Sequence, residues 1–447
     1  MATFAKVREE YQVHTWIYPE PRKGLLVYVK TGQPDLVSGT LSDILRLMNG
    51  RLTIEEIGKN ISKNYEVTQS VAEHIVCKVV NEFVREGIVE ISSNPMVERS
   101  FSNPIASPFH LSILQIQITN KCNLHCLHCY ADSGKKSDNE LATQDILKLI
   151  KEFSDMGGIR VFITGGEPLV HPDIDEIITY AKKCHLFVYL STNGYAVTEK
   201  KAKKLVEIGV RAVNVSLDGC NARTHDKFRG KKGSFEKAIA AINYFLANNI
   251  ICASHTTLFI NNLDQSADIV NKLKPLGISD CFFVKMLPIG RGAEHAELIP
   301  TIEQYGKACE KDYFNRRYSY GDVVYPRNIR NRKRRCTAAV NQVYVDANGR
   351  CYPCPSLATD QFWFGKYPDS KLEEIWSDKF GKLSNLRSFE LDSIIKCREC
   401  EHNRFCSRGC FGNALITAGD WRLADPHICS IMEILKRVQR TCSPTCR

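Results

Sequence analysis

The sequence predicts an α/β protein: a parallel sheet alternating with helices, preceded by a small α+β domain and followed by a cysteine-rich region. Three observations carry this expectation. Near-continuous apolar runs at Ile113–Thr119, Arg160–Thr164, Phe187–Ser191, Ala212–Leu217, Cys252–Phe259 and Cys281–Met286 alternate with helix-period segments such as Asp145–Asp155, Ile174–Lys183, Glu199–Ile208 and Phe235–Ala247. That is the pattern of strands buried on both faces by crossover helices. Thirteen of the nineteen cysteines fall in two groups, Cys122–Cys129 and Cys336–Cys446. Residues 92–108 hold three prolines and five serines without any period, the composition of a linker.

At 447 residues the chain suggests about three domains. Hydrophobic residues at 43% and charged residues at 25% exclude disorder as the main state. No apolar run approaches the ~20 residues of a membrane span, so no membrane partner is expected. The N-terminus, MATFAKVREEYQVHTW, has no signal-peptide core, and a cytoplasmic location is expected. An odd number of cysteines in such a chain argues for metal thiolates rather than a disulfide framework. The net charge of +10 admits an acidic partner without choosing one.

Taken in order, residues 1–91 suggest strands at Leu25–Lys30 and around Leu36–Val37, then helices near Ser42–Met48, Ile54–Asn64 and Gln69–Glu86. A returning strand at Ile88–Ile91 completes a winged-helix pattern. After the linker, residues 109–300 hold six β/α units, a partial barrel whose chemistry belongs at the C-terminal strand ends. Residues 301–335 are helical and then basic, ending in RNIRNRKRR. Residues 336–447 have too little apolar periodicity to fold on packing alone and need metal. Cys77, Cys184, Cys220, Cys252, Cys281 and Cys309, scattered singly, read as core packing.

The sequence IQITNKCNLHCLHCYAD sets Cys122, Cys126 and Cys129 in a loop directly after the first barrel strand. Three thiolates can hold three irons of a [4Fe–4S] cube and leave the fourth iron open to chelate a small molecule. A zinc knuckle completed by His125 or His128 is the competing use. The C-x3-C-x2-C loop resembles the signature of the radical S-adenosylmethionine (SAM) enzymes, and further motifs extend the resemblance over 111–290. Gly165, Gly166 and Glu167 end the second strand as the segment that holds the SAM amino group. Ser191 and Asn193 end the third strand, and Ser216 and Asp218 the fourth, at ribose- and carboxylate-facing positions. Arg229, in KFRGKKGSF, matches an arginine that grips the SAM carboxylate, a task suited to a planar fork of donors.

The spacing of Cys336, Cys354, Cys397, Cys400, Cys406, Cys410 and Cys429 resembles that of SPASM domains, which carry two auxiliary Fe–S clusters, here expected as [4Fe–4S]. The resemblance assigns Cys397, Cys400, Cys406 and Cys429 to the distal cluster and Cys336, Cys354 and Cys410 to the nearer one. Cys351 is a candidate fourth ligand, though strand alternation can point it away from Cys354. Zinc is the competing metal. Cys442 and Cys446 have no assigned role.

Residues 1–91 resemble the winged-helix domain that binds leader peptides by strand addition in ribosomal-peptide maturation. DNA or RNA is disfavoured as a partner, because the third helix carries Glu73, Glu82 and Glu86 against Lys78 and Arg85. The domain order resembles that of the sactipeptide maturases, such as the subtilosin maturase. This implies an oxidoreductase with a precursor peptide as substrate and an electron donor such as flavodoxin or ferredoxin. Reductive cleavage of SAM to a 5′-deoxyadenosyl radical, followed by hydrogen abstraction from the peptide, would install a cysteine sulfur-to-carbon thioether. Carbon–carbon cross-linking, epimerisation, sulfatase-type maturation, and action on RNA or a small metabolite are the alternatives within radical chemistry. A non-catalytic zinc-cysteine protein is the alternative outside it. Beyond the cluster, no catalytic residue or general base is assignable from the sequence.

Overall fold

The structure, a computed structural model, describes residues 2–441 apart from 10, 17–22, 29–32, 100, 102–108, 279, 315–318, 321–335, 380, 391–392, 403–405 and 407–408. The basic run at 327–335 and both Cys442 and Cys446 lie outside the described residues. The chain forms two compact units: residues 1–113, 147–161 and 180–187 make the first, and 114–146, 162–179 and 188–447 the second.

The first unit opens with strands β1 (Phe4–Val7), β2 (Tyr11–Trp16), β3 (Lys23–Tyr28) and β4 (Gln33–Ser38). Helix α1 (Gly39–Leu47), β5 (Asn49–Thr53), α2 (Ile54–Tyr65), α3 (Gln69–Arg85) and β6 (Val89–Ser92) follow. All three predicted helices form, each opened by its own capping side chain. Ser38 takes the Leu41 N–H, Thr68 the Val71 N–H, and Thr53 with Glu56 forms a reciprocal capping box. Two antiparallel sheets carry the strands, in the orders β5-β1-β6 and β2-β3-β4. Ala5, Val7, Ile44, Leu45, Met48, Ile57, Ile61, Val76 and Val80 close the core. The sequence reading had no strand at β1, β2 or β5. The first part of the expected linker is also bound: Met96 and Arg99 donate their N–H groups to Gly50 and Asn49. The Arg99 guanidinium reaches the carbonyls of Val7, Arg8 and Tyr11. Gln12 Nε2 donates to the His185 carbonyl at 2.6 Å, which helps explain why the 180–187 segment groups with this unit.

The second unit is organised by a ten-stranded sheet in the order β13-β12-β11-β10-β9-β8-β7-β14-β15-β16. Its central strands are β7 (Ile113–Gln117), β8 (Arg160–Thr164), β9 (Phe187–Thr192), β10 (Val210–Ser216), β11 (Ile251–Leu258) and β12 (Asp280–Lys285), the six predicted. Strands β9 to β12 pair in parallel, and β13 (Ser319–Tyr320) extends them by one short parallel strand. Helices α4 (Thr143–Asp155), α5 (Ile174–Lys183), α6 (Glu199–Ile208), α7 (Ala222–Arg229), α8 (Ser234–Ala247) and α9 (Ser266–Leu273) make the crossovers. The sheet does not close into a barrel. On the β7 side its edge is taken by β14 (Gln342–Val345), β15 (Arg350–Tyr352) and β16 (Gly365–Lys366), which continue as an antiparallel meander.

Helix α10 (Ile302–Phe314) and the short helices α11 (Leu372–Trp376), α12 (Ser384–Ser388) and α13 (Ile395–Arg398) precede α14 (Phe411–Ala418) and α15 (Pro426–Thr441), which packs on α10. Among the described residues, no helix is long and apolar enough to cross a membrane.

Candidate functional site

The parallel strands end on one rim, and the loop after β7 lies across it. Glu140 fastens the start of this loop, accepting from Thr119 Oγ1 at 2.9 Å, the Asn120 N–H at 2.7 Å and the Ser137 N–H at 2.9 Å. The turn after β8 packs on the loop's backbone. A Cβ at Gly166 would fall 2.5 Å from the Lys121 carbonyl oxygen, so only glycine permits this approach. Arg291, just past β12, holds the far end. Its Nε donates to the Cys126 carbonyl at 3.0 Å, and its Nη1 to Ser133 O at 2.8 Å and Asp132 Oδ1 at 2.6 Å. Sequence reasoning missed Arg291. The available signal was the Gly-Arg-Gly triplet, whose Gly290 has φ +54° with the Cys129 carbonyl against it.

Cys122, Cys126 and Cys129 share this loop, close enough that the charges of Cys126 and Cys129 act on Cys122. Burial pushes the Cys122 thiol up to about 11 and raises that of Cys126. Yet nitrogen donors surround all three sulfurs. Arg229 Nη1 lies 3.8 Å from Cys126 Sγ, the Ser133 N–H 3.3 Å from Cys129 Sγ, and Asn193 Nδ2 4.0 Å from Cys122 Sγ. Donors of this kind suit sulfur in its anionic, metal-bound state, and the donor set fits a cluster with an open position. Of the two histidines that a zinc knuckle would use, His125 is exposed. His128 stacks on Phe228 at 4.3 Å, with Nε2 3.7 Å from Asp218, and burial drops its pKa to about 3.

Glu167 is fully buried. Its carboxylate accepts from Thr192 Oγ1 at 2.8 Å, the Asn193 N–H at 2.7 Å and the Leu169 N–H at 3.1 Å, tying the second strand end to the third. Burial nevertheless lifts its pKa to about 7. Asn193 in turn reaches Asn123 Oδ1 at 2.8 Å, inside the cysteine loop. Ser191 pairs with Asn214, and Ser216 with His255; in-register partners of a parallel sheet share a face, so these four side chains line one side.

Asp218 is also fully buried, and it pairs with Arg229 Nε at 2.5 Å. Burial alone would raise this carboxyl, but Arg229, His128 and His225 outweigh it and hold it below the usual range. Arg229 therefore spans from Asp218 to the cysteine loop. Truncating either partner would strand a buried charge, at a cost of about 3–5 kcal/mol.

The C-terminal cysteines form two further groups. Cys397, Cys400, Cys406 and Cys429 line one open cavity of about 240 Å³, together with His402 and Glu433, which the sequence analysis did not single out. Cys354 lies near Cys336, and burial pushes its thiol up to about 12. Cys410 caps α14, its N–H bonded to Asp425 at 3.0 Å. Cys351 is turned elsewhere: its thiol faces the Gly349 carbonyl at 3.7 Å, and the groups acting on it are Asp346 and the Tyr367 backbone.

A loop of three thiols on the rim of an open parallel sheet, together with a four-cysteine cavity in the C-terminal region, points to a class: enzymes built around iron–sulfur clusters. The chain belongs to the radical SAM superfamily. That family's pattern matches residues 116–273, and the SPASM iron–sulfur cluster-binding domain matches residues 336–401. Its cofactors are accordingly a [4Fe–4S] cluster with SAM, and auxiliary clusters in the SPASM region.

The mycofactocin maturase MftC of Mycolicibacterium smegmatis is 30% identical over 342 residues, spanning 72% of this chain and 83% of that protein. An AdoMet-dependent heme synthase of Oleidesulfovibrio alaskensis is 28% identical over 337 residues, 69% of this chain and 85% of that one. Among solved structures, Streptococcus suis SuiB bound to its precursor peptide SuiA matches with a TM-score of 0.70 at 17% identity, over 95% of this chain and 100% of that one. The AdoMet-bound structure of anSMEcpe matches with a TM-score of 0.60 at 19% identity, over 73% of this chain and 97% of that one.

Proposed function

We propose that the protein is a radical SAM maturase that installs a cross-link, a cysteine sulfur-to-carbon thioether, in a ribosomally made precursor peptide. One observation carries the peptide reading: the first unit offers an unpaired strand edge. Among the described residues, in the order β5-β1-β6, β6 has β1 on one side only, while Met96 and Arg99 cover the far edge of β5. Exposed Ile91 lies on β6, and exposed Val71 and Ile75 lie on α3, the helix packed against it. An extended leader adding to β6 would gain main-chain hydrogen bonds and apolar contacts together. Similarity to MftC and to the fold of peptide-bound SuiB supports this reading. The heme-synthase relatives support a small-molecule reading instead, which assigns no use to residues 1–91.

In the proposed assignment Cys122, Cys126 and Cys129 hold the SAM cluster. Gly165, Gly166, Glu167, Ser191, Asn193, Ser216 and Asp218 shape the SAM pocket. Cys336, Cys354 and Cys410 hold the nearer auxiliary cluster, and Cys397, Cys400, Cys406 and Cys429 the distal one. The bound cluster and SAM supply a one-electron cleavage that yields a hydrogen-abstracting radical. Arg229, anchored by Asp218, presents its free donors towards the loop and would orient the SAM carboxylate. The Glu167 carboxylate would receive the SAM ammonium, and Arg291 keeps the loop shaped around the metal. The buried strand ends exclude water from the rim, which strengthens each of these contacts.

Mass spectrometry after anaerobic turnover with the precursor peptide tests this. A thioether removes two hydrogens and one alkylatable thiol. Loss of two hydrogens with every thiol still alkylatable would exclude the thioether and leave a link or desaturation that does not involve sulfur.

A further inference from the structure

We propose that the exposed cationic turn around Lys227, Lys231 and Lys232 is the docking surface for an acidic one-electron carrier protein that reduces the cluster site. The inference rests on the cluster assignment above and adds the partner's place. Lys227, Lys231, Lys232, Arg223 and Lys237 are all exposed across α7, the turn and the start of α8. The acid between them is turned inward: Asp226 accepts from the Gly233 N–H at 2.7 Å, Ser234 Oγ at 2.9 Å and the Phe235 N–H at 2.8 Å. Glu236 is the exposed acid that remains in this stretch. Cations in the last turn of α7 complement its dipole, which accounts for Lys227. Lys231 and Lys232 lie beyond the Gly230 cap, so that explanation does not extend to them.

The same turn lies against the cysteine loop. A Cβ at Gly230 would fall 2.4 Å from the His125 carbonyl oxygen, and the Leu127 N–H donates to the Phe228 carbonyl at 3.0 Å. Arg229 reaches Cys126 Sγ at 3.8 Å. A single residue, Gly230, therefore separates a solvent-facing cation, Lys231, from Arg229, which touches the sulfur of Cys126. Lys231 Nζ also lies 5.6 Å over the half-buried Tyr195 ring, placing an aromatic contact beside the charges. Small, charge-steered interfaces are what transient electron-transfer partners use, since they must both arrive quickly and leave. A carrier with a negatively charged face around its flavin or iron–sulfur centre fits. The step is one electron: a flavin hydroquinone becomes the semiquinone, the cluster site gains that electron, and no bond in this chain forms or breaks.

The test uses the intact, cluster-loaded enzyme and flavodoxin hydroquinone as the probe. The triple variant K227E/K231E/K232E is compared with the parent and with K227R/K231R/K232R, iron content and far-UV dichroism being matched. Stopped-flow reduction of the cluster by flavodoxin should slow about tenfold or more in the glutamate variant at low salt, as steering is lost, and remain parental in the arginine variant. The parental rate should fall with salt, while the glutamate variant's should not. Reduction by dithionite should be equal in all three. Equal flavodoxin rates and salt slopes in parent and glutamate variant would overturn the docking surface. So would a matching loss with dithionite, or a loss confined to binding of an acidic precursor peptide. Failure of the dithionite-reduced parent to cleave SAM would instead count against the cluster assignment, a distinct outcome.

Discussion

At the scale of single residues, Glu167 gives the sharpest expectation. Burial lifts its folded-state pKa to about 7 from the ordinary glutamate value of 4.5, against the donors of Thr192, Asn193 and Leu169. A raised carboxyl pKa means the folded state keeps the proton longer than the unfolded state. Between those two values this group's contribution to stability therefore declines as pH rises. Ligand binding runs the other way, because an ammonium group is received by the ionised carboxylate. SAM affinity, followed by calorimetry on the cluster-loaded enzyme, should rise as pH increases through about 7. Glu167→Gln should bind more weakly and lose that rise. An unchanged pH profile in the variant would remove Glu167 from the ammonium site. The sequence placed the glycine-rich turn of Glu167 at the second strand end and Arg229 after the fourth, and both lie beside the cysteine loop. That Asp218 would be consumed by Arg229, and that Arg291 would brace the loop from 158 to 165 residues away, was not legible there. The Arg291 contacts join residues distant in the chain, and the Asp218 pair, though local, depends on the turn of α7 back onto the strand end; neither periodicity nor spacing encodes which partner a buried charge will meet.

At the scale of elements, the cysteine groups should behave independently. Cys122, Cys126 and Cys129 lie in the loop between β7 and α4, whereas Cys397, Cys400, Cys406 and Cys429 line their own cavity among the C-terminal helices. Replacing the first three with alanine should abolish reductive SAM cleavage and leave most of the auxiliary iron in place. Replacing Cys397 and Cys400 should lower iron and solubility together, because short helices such as α13 lack the packed area to stand without metal. Iron analysis with deoxyadenosine quantitation checks both. A first-group variant that cleaves SAM at the parental rate, or a second-group variant unchanged in iron and solubility, would break the assignment. The strands and helices of the parallel sheet were readable because strand and helix periods alternate plainly there. The N-terminal strands β1, β2 and β5 were not, since FAKV, YQVHTW and NGRLT are short and lack clean alternation. Pairing partners, not local pattern, make them strands.

For the whole molecule, the proposed division of labour is recognition in the first unit and chemistry in the second. Deleting residues 1–91 should leave SAM cleavage largely intact and strongly reduce modification of a full-length precursor at sub-saturating peptide. Leader capture works by raising the effective concentration of the core peptide at the rim. The truncation has to be soluble and iron-loaded for the comparison, because Gln12 and the 180–187 segment share a unit and lose contacts in it. A well-folded truncation as fast as the intact enzyme would favour the small-molecule reading.

The placement of β14 beside β7 also governs how the protein comes into being. Gln117 and the Tyr344 hydroxyl that bonds to its side chain at 2.6 Å are 227 residues apart in sequence. At ~5–20 residues per second, a ribosome needs on the order of 10–45 seconds to supply the second partner after the first has emerged. Throughout that interval the strand leading into the cysteine loop has an open flank on the nascent chain, a template for pairing with a wrong neighbour. A message truncated before β14 would leave that flank of β7 open for the life of the product, an edge ready to pair with another chain.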